Sequence, residues 1–555
     1  MHLSPRFRVV LCVAAAGVLA LAGASCKFAL SKPPETGVAP PPHPPADGQA
    51  KPAAPKAAPK PVAGQPPSPA APALGAAAGG PLEITVPSAI LMALENNAEL
   101  VVQRENPAIR RTLEDEQRAV FDPVLTGTYG HQQARGQRFA GNRLEEFDKE
   151  AIVGGGALGA LLPTGTGVTV DVNKRIADVA MRKQLAQTRV GLTVTQALLR
   201  GFGLDVNLAS IRQARLDTLA SEYELRGFAE TLVGLVEVTY WDHVLAQRQV
   251  EILTQAVEMA EQQLKDVLER VKAGTVAEVD RAAAEAEVAL RRRDLIDARS
   301  DREKMRLQLL RLMNPPGTDL WGREIRLGGL PPDADEALED VESHVNVGLR
   351  MRPELNQARL GVQRGDLEIV RTRNGLLPKL DLFLTIGRSQ YVDSFPDSRA
   401  GLRGGPYNDV LLGVSAQFPV TDQAARAVHE RAVISRRQAV EAVNNLAQLV
   451  QVDVRSAYVE VNRAKEQTAA SAASRRLDEA KLQAELEKYK IGRASSFQVA
   501  RAQRDLVRSQ IAEVQAAVDY RKAHVELFRL EGSLLERRGV SAPGRDPVEI
   551  AGTKP

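Results

Sequence analysis

Apolar side chains recur through residues 246–271 at alternating steps of four and three: Ala246, Val250, Leu253, Val257, Ala260, Leu264, Val267 and Val271. Beyond Gly274 the pattern resumes at Val276, Val279, Ala283, Ala286 and Leu290. A second run passes through Phe497, Ala500, Arg504, Val507, Ile511, Val514 and Val518. A sustained seven-residue repeat predicts long helices in left-handed coiled-coil packing. Other segments have a period of two. Leu380, Leu382, Leu384 and Ile386 alternate with Asp381, Phe383 and Thr385; Leu412, Val414, Ala416 and Phe418 alternate with Gly413, Ser415 and Gln417; Val190, Leu192 and Val194 follow the same rule. That alternation predicts strands with one apolar and one polar face. In an exported chain such strands fit a membrane barrel with a wet lumen, and a soluble sheet against one helix layer is the other reading.

The patterns occur twice. Glu99 and Glu354 lie 255 residues apart, as do Pro123 and Pro378, while Tyr240 precedes Gly274 by the same 34 residues that separate Tyr458 from Gly492. Arg311-Leu312 and Arg529-Leu530 keep the later offset of 218. We read two copies, 84–314 and 340–532, joined by a turn-rich linker over 315–339 and followed by a tail over 533–555. Copy one carries 33 extra residues between Pro123 and Ala197, and 4 more enter near Arg200 to Gly203. The 33 predict an added hairpin turning at 163–167 between strands near 151–161 and 168–176. Helical throughout, Ala197 to Gly274 would span about 115 Å and the return over 276–312 about 55 Å. The opening helix of copy two, roughly 340–376, would supply the rest of the ascent.

The N-terminus changes the setting. Arg6 and Arg8, the apolar run Val9 to Leu21 and the small residues before Cys26 form an export signal over 1–26. Gly23-Ala24-Ser25-Cys26 resembles a lipobox, which would make Cys26 an acylated first residue; cleavage after Ala22-Gly23-Ala24 is the alternative. The Pro/Ala-rich stretch 27–83 reads as an extended tether. Cys12 and Cys26 are the only cysteines, so the mature body can form no internal disulfide. Aromatics are 4% of the 555 residues and net charge is +3, which implies no nucleic-acid partner.

Enzymatic signatures are weak. Gly154-Gly155-Gly156-Ala157-Leu158-Gly159 matches G-x-G-x-x-G but is followed by a turn rather than by the helix a pyrophosphate needs. The seven histidines are scattered, none at metal-ligand spacing, and His243 beside Trp241 and Asp242 reads as a packing residue. We therefore expect no catalytic residue, metal or cofactor. Tyr129, Phe383, Tyr391, Phe395 and Tyr407 fall in or beside the strands, where interface girdles would place them.

The chain resembles the TolC family of outer-membrane factors over about 84–532. The resemblance is carried by Ala93-Leu94-Glu95-Asn96-Asn97-Ala98-Glu99-Leu100, Gly375-Leu376-Leu377-Pro378, Thr195-Gln196-Ala197-Leu198-Leu199-Arg200-Gly201, Tyr240-Trp241-Asp242, Ala273-Gly274-Thr275-Val276-Ala277 and Tyr489-Lys490-Ile491-Gly492. It implies a mainly α fold with a transmembrane β part: a homotrimer whose strands build one outer-membrane β-barrel and whose helices build an α-barrel across the periplasm. It also implies an export duct in a tripartite efflux pump or type I secretion system, held in outer-membrane lipids, with a periplasmic adaptor and an inner-membrane pump docking at the tips. Pro419 would begin the descending helix of copy two, and Ala197 stands there in copy one. The family often closes its periplasmic mouth with acidic residues after the tip glycine. Here Gly274 is followed by Glu278 and Asp280, whereas Gly492 is followed by Gln498 and Arg501 at the positions taken as their counterparts, so an Asp–Arg contact becomes an option for closure. The competing class is a periplasmic coiled-coil adaptor or structural lipoprotein.

Overall fold

The computed structural model describes residues 82–140, 143–179, 182–317, 320–327, 338–392 and 408–549. Cys26, the signal segment, nearly all of the Pro/Ala-rich stretch, Phe395 and Tyr407 lie outside them.

Copy one opens with β1 (Leu82–Ile84) and three helices: α1 (Val86–Asn96), α2 (Ala98–Arg104) and α3 (Asn106–Arg118). Thr85 and Ser88 form a capping box ahead of α1. Asn97 gives the Asn-Asn motif its physical reason. Its side chain accepts from the amides of Glu99 and Leu100 at 3.0 Å each and donates to the Leu312 carbonyl at 2.9 Å, fixing the start of the copy to its end.

Four strands follow: β2 (Val124–Ala140), β3 (Arg143–Leu161), β4 (Thr166–Val179) and β5 (Arg182–Ala197). After the short α4 (Leu204–Asn207) come α5 (Ala209–Lys272) and α6 (Glu278–Met313). Copy two is entered through β6 (Ile325–Leu327), which pairs in parallel with β1. Then come α7 (Val341–Met351), α8 (Pro353–Gly375), β7 (Lys379–Val392), β8 (Asn408–Gln417), α9 (Gln423–Lys490), α10 (Ser496–Leu530) and the short α11 (Leu534–Arg537).

The second sheet contains strands of both copies in the order β2-β3-β4-β5-β7-β8, every neighbouring pair antiparallel. Its register keeps one face apolar from edge to edge. Leu125, Leu158, Val170, Leu192, Ile386 and Val410 lie directly opposite one another in a single row across all six strands. One residue along, the row Thr126, Ala157, Asp171, Gly191, Gly387 and Asp409 occupies the other face. The hairpin expected in copy one is present, turning between Leu161 and Thr166, so among the described residues copy one supplies four strands of this sheet and copy two supplies two.

The helix expected to start near Ala197 begins at Ala209, and its copy-two counterpart begins at Gln423 rather than Pro419. Ala197 ends β5, paired with Asp381. Gly201 and Gly203 then turn the chain at φ +87° and +101°. Asn207 holds that turn by donating to the carbonyls of Pro163, Gly201 and Gly203 at 3.0, 2.8 and 3.1 Å. The α5 descent is therefore about 96 Å rather than 115 Å, and the α6 return is about 54 Å. The remaining ascent is made by α7 and α8, which break at Arg352, where Pro353 starts the second helix.

The largest core gathers Ile84, Ile90, Leu100, Val233, Tyr240, Leu309, Val454, Val461, Leu527, Leu534 and Leu535. It thus joins both copies and the residues just after the second. Two smaller cores lie toward the helix turns, one around Leu253, Val257, Leu295 and Val507, the other around Leu482, Tyr489, Val499 and Leu506. No helix among the described residues is long and apolar enough to cross a membrane.

Candidate functional site

The two long helical hairpins end in the same local structure. Gly274 adopts φ +72° and Gly492 +74°. The amides of Gly274 and Thr275 donate to the carbonyls of Val271 and Arg270 at 2.9 and 3.0 Å; those of Gly492 and Arg493 donate to Tyr489 and Lys488 at 3.1 and 2.8 Å. Both are Schellman motifs, which need a left-handed residue after the helix cap and so select glycine. The offset of 218 holds at the far ends too: Asn314 and Gly532 terminate the return helices with φ +43° and +71°.

Because α6 starts at Glu278 and α10 at Ser496, the structural counterpart of Glu278 is Ser496 and that of Asp280 is Gln498. Arg501 matches Ala283, not an acidic position. The two hairpins touch through different groups from those expected. Ser496 Oγ donates to Asp280 Oδ1 at 3.4 Å, and the Arg270 guanidinium lies 4.2 Å from the centre of the Tyr489 ring. Glu278 pairs with Arg281 at 3.1 Å on its own helix, and Gln498 completes a capping box with Ser495. Arg501 acts electrostatically on Asp505, whose pKa is lowered first by its hydrogen bond from Lys481. Within one chain, Asp280 therefore meets Ser496 and not Arg501.

On the polar face of the sheet, side chains lie flat across glycines of the neighbouring strand. A Cβ on Gly191 would sit 2.5 Å from an Asp171 carboxylate oxygen, one on Gly155 2.5 Å from the Asn173 amide oxygen, and one on Gly413 2.5 Å from the Phe383 ring. Gly387 lies beneath the Arg189–Asp409 ion pair, whose 2.7 Å contact spans β7 from β5 to β8. Thr193 and Thr385 hydroxyls meet at 3.2 Å on the same face. The G-x-G-x-x-G stretch lies within β3, and of its glycines Gly155 is the one beneath such a side chain.

Periodicity could not reveal a set of buried ionic contacts near the largest core. Arg226 is 1% exposed and donates to Glu230 at 3.1 Å, to the Gly532 carbonyl at 3.1 Å, and to Glu536. Burial pushes the Glu230 carboxyl up to about 8, against the attraction of Arg226. His344 Nδ1 lies 2.6 Å from Glu531, which is fully buried. Burial also drives His243 down to about 4.

A family model described as outer membrane efflux protein matches residues 89–315 and 346–533, more than half of the chain. The chain belongs to the outer membrane efflux protein family, as the TolC-like motifs implied, and is a transport protein of the outer membrane. Among curated proteins, none matches it in sequence. Solved structures share the fold. The outer-membrane channel OprN is 16% identical over 81% of this chain and 90% of its own, with a TM-score of 0.62. The Campylobacter jejuni CmeC outer membrane channel is 16% identical over 81% and 86%, with a TM-score of 0.60. The Vibrio cholerae outer membrane protein VceC is 13% identical over 80% and 96%, with a TM-score of 0.61.

Proposed function

We propose that this protein is the exit duct of a tripartite efflux pump or type I secretion system, working as a homotrimer. In this reading the sheets close into a β-barrel across the outer membrane and the long helices line a conduit through the periplasm. The observation that carries it is the register of the sheet. An uninterrupted apolar row from Leu125 to Val410 faces lipid, while the adjacent row of Asp171, Asp409 and glycines faces water. Acylation of Cys26 adds a tether, though one chain binds a membrane only marginally, so the barrel remains the main anchor.

The helical turns at Gly274 and Gly492 are free ends, and there a tube of packed helices can narrow and a partner can dock. We assign adaptor and inner-membrane pump contacts to these turns and resting closure to the same region. The contacts Asp280–Ser496 and Arg270–Tyr489 support this assignment, because both join the two hairpins. Cysteines introduced by Val279→Cys and Arg493→Cys would be alkylated with a benzophenone maleimide, irradiated in whole cells, and the captured proteins sequenced. A periplasmic adaptor is the expected capture, together with heat-modifiable trimer migration on gels. Capture of no envelope protein would overturn the docking assignment.

A further inference from the structure

Among the described residues, the six-stranded sheet ends on two strands with no further neighbour, β2 and β8. Edge-to-edge closure of three copies, β2 of one forming a seam against β8 of the next, follows from the function proposed above. We propose that each copy gives all six strands to that wall, so that the barrel has eighteen. The trimer and its closure rest on the proposed function; the count rests on the sheet.

The first argument is direction. All five pairings are antiparallel and the strands number six, so β2 and β8 run in opposite directions. Copies added edge to edge therefore continue the antiparallel ladder without a break. The second argument is solvation. A strand edge in hydrocarbon leaves amide and carbonyl groups without partners, each costing several kcal/mol, and only closure removes the edge. Six strands fall short of the smallest known membrane barrels, which have about eight, so one chain cannot close alone.

The third argument is exposure along the apolar face. Within the sheet, Val170 and Leu192 are each 38% exposed. At the two edges, Leu125 is 60% exposed, Val410 68% and Leu412 66%. The apolar band is thus bare at both ends of the row, where a seam would continue it.

The hairpin found only in copy one belongs to this wall. β3 and β4 pair without interruption from Ala151–Ala177 to Leu161–Gly167. Their turn is bound to the segment between β5 and the long helix, where the Ala197 amide donates to the Gly165 carbonyl and Asn207 donates to that of Pro163. At ordinary strand spacing and tilt, eighteen strands place opposite backbones about 36 Å apart, compared with about 24 Å for twelve. The side chains lying flat over Gly155, Gly191, Gly387 and Gly413 leave that width open. Passage would then be limited at the helical turns rather than in the membrane.

The test uses the absence of cysteine beyond Cys26. Cysteines would be placed one at a time along Val124–Tyr129 and along Val410–Ser415, combined in pairs and oxidised in outer membranes. An antiparallel seam predicts cross-links only where the two residue numbers share one constant sum, in complexes of three chains by native mass spectrometry. Cryo-electron microscopy in nanodiscs should count eighteen strands, and twelve after deletion of 141–181, which joins β2 directly to β5. A cross-linkable trimer with no β2–β8 pair, or a twelve-stranded barrel in the full chain, would overturn the count of six strands per copy while leaving the trimer standing. A β2–β8 ladder in rings of two or four copies would overturn the trimer and the count of eighteen.

Discussion

Arg538 reaches back 301 residues to Glu237, its Nε and terminal nitrogen donating to the two carboxylate oxygens at 2.7 Å each. Glu237 is 1% exposed on α5, and Leu534 and Leu535 beside Arg538 are fully buried. The segment after the second copy is therefore a clasp on the first. Glu237 is buried while the Arg538 side chain is 33% exposed, so removing the guanidinium leaves one buried carboxylate without this partner and costs about 1–3 kcal/mol. Arg538→Ala should lower the denaturant midpoint of the detergent-solubilised protein accordingly. Glu237→Leu combined with Arg538→Leu should recover much of the loss. Equal midpoints for Arg538→Ala and the parent would remove the clasp from the account.

Glu230 makes stability depend on pH. Its carboxyl is raised to about 8, chiefly by burial, so the folded chain favours the protonated form. The stabilisation from that proton is complete below the unfolded value near 4.5 and is lost as pH rises through about 8. His243 acts in the opposite sense. Burial lowers it to about 4, so its contribution is complete above 6.5 and lost as pH falls toward 4. Melting temperatures between pH 6.5 and 8.5 should fall in the parent and stay level in Glu230→Gln. A parallel fall in both would show that Glu230 is already ionised beside Arg226.

The tip glycines are required by backbone conformation and not by close packing. A Cβ at Gly274 or Gly492 would meet no atom within 4 Å, so Gly→Ala there costs only the left-handed conformation, about 1–2 kcal/mol. Each substitution should increase hydrogen exchange in the last helical turns, with the core around Val233 and Leu527 unchanged. Protection at the tips identical to the parent would contradict the Schellman assignment.

Phe383 lies over Gly413 on the polar face, so Gly413→Val should displace the ring and distort the β7–β8 ladder. We expect at least a twofold fall in heat-modifiable trimer in outer membranes, partly recovered by Phe383→Ala. Full assembly of Gly413→Val would show that the cradle is dispensable.

Much of this architecture could be read from spacing. The four-three steps from Ala246 to Val271 lie on α5, and the alternation from Leu380 to Ile386 lies on β7, because each pattern reports a face that must be buried. The starts of the long helices were not legible. Residues 195–201 end a strand and enter a glycine turn, and the hub that fixes the true start, Asn207, sits in no periodic pattern. At the tips, Gly274 and Gly492 announced the turns, but the Asp280–Ser496 contact joins residues 216 apart and leaves no local trace. The same holds for Glu237 and Arg538, whose pairing depends on where the chain returns.

The central claim, a water-filled path through the outer membrane that is closed at the helical turns, is tested most directly by current through planar bilayers. The purified protein should insert as discrete steps of low resting conductance. Asp280→Ala, alone or with Arg501→Ala, should raise the step size with trimer assembly unchanged. Unchanged steps in the double variant would assign closure to helix packing alone. A protein that inserts as an intact trimer but never passes current, in the parent or in either variant, would contradict the account.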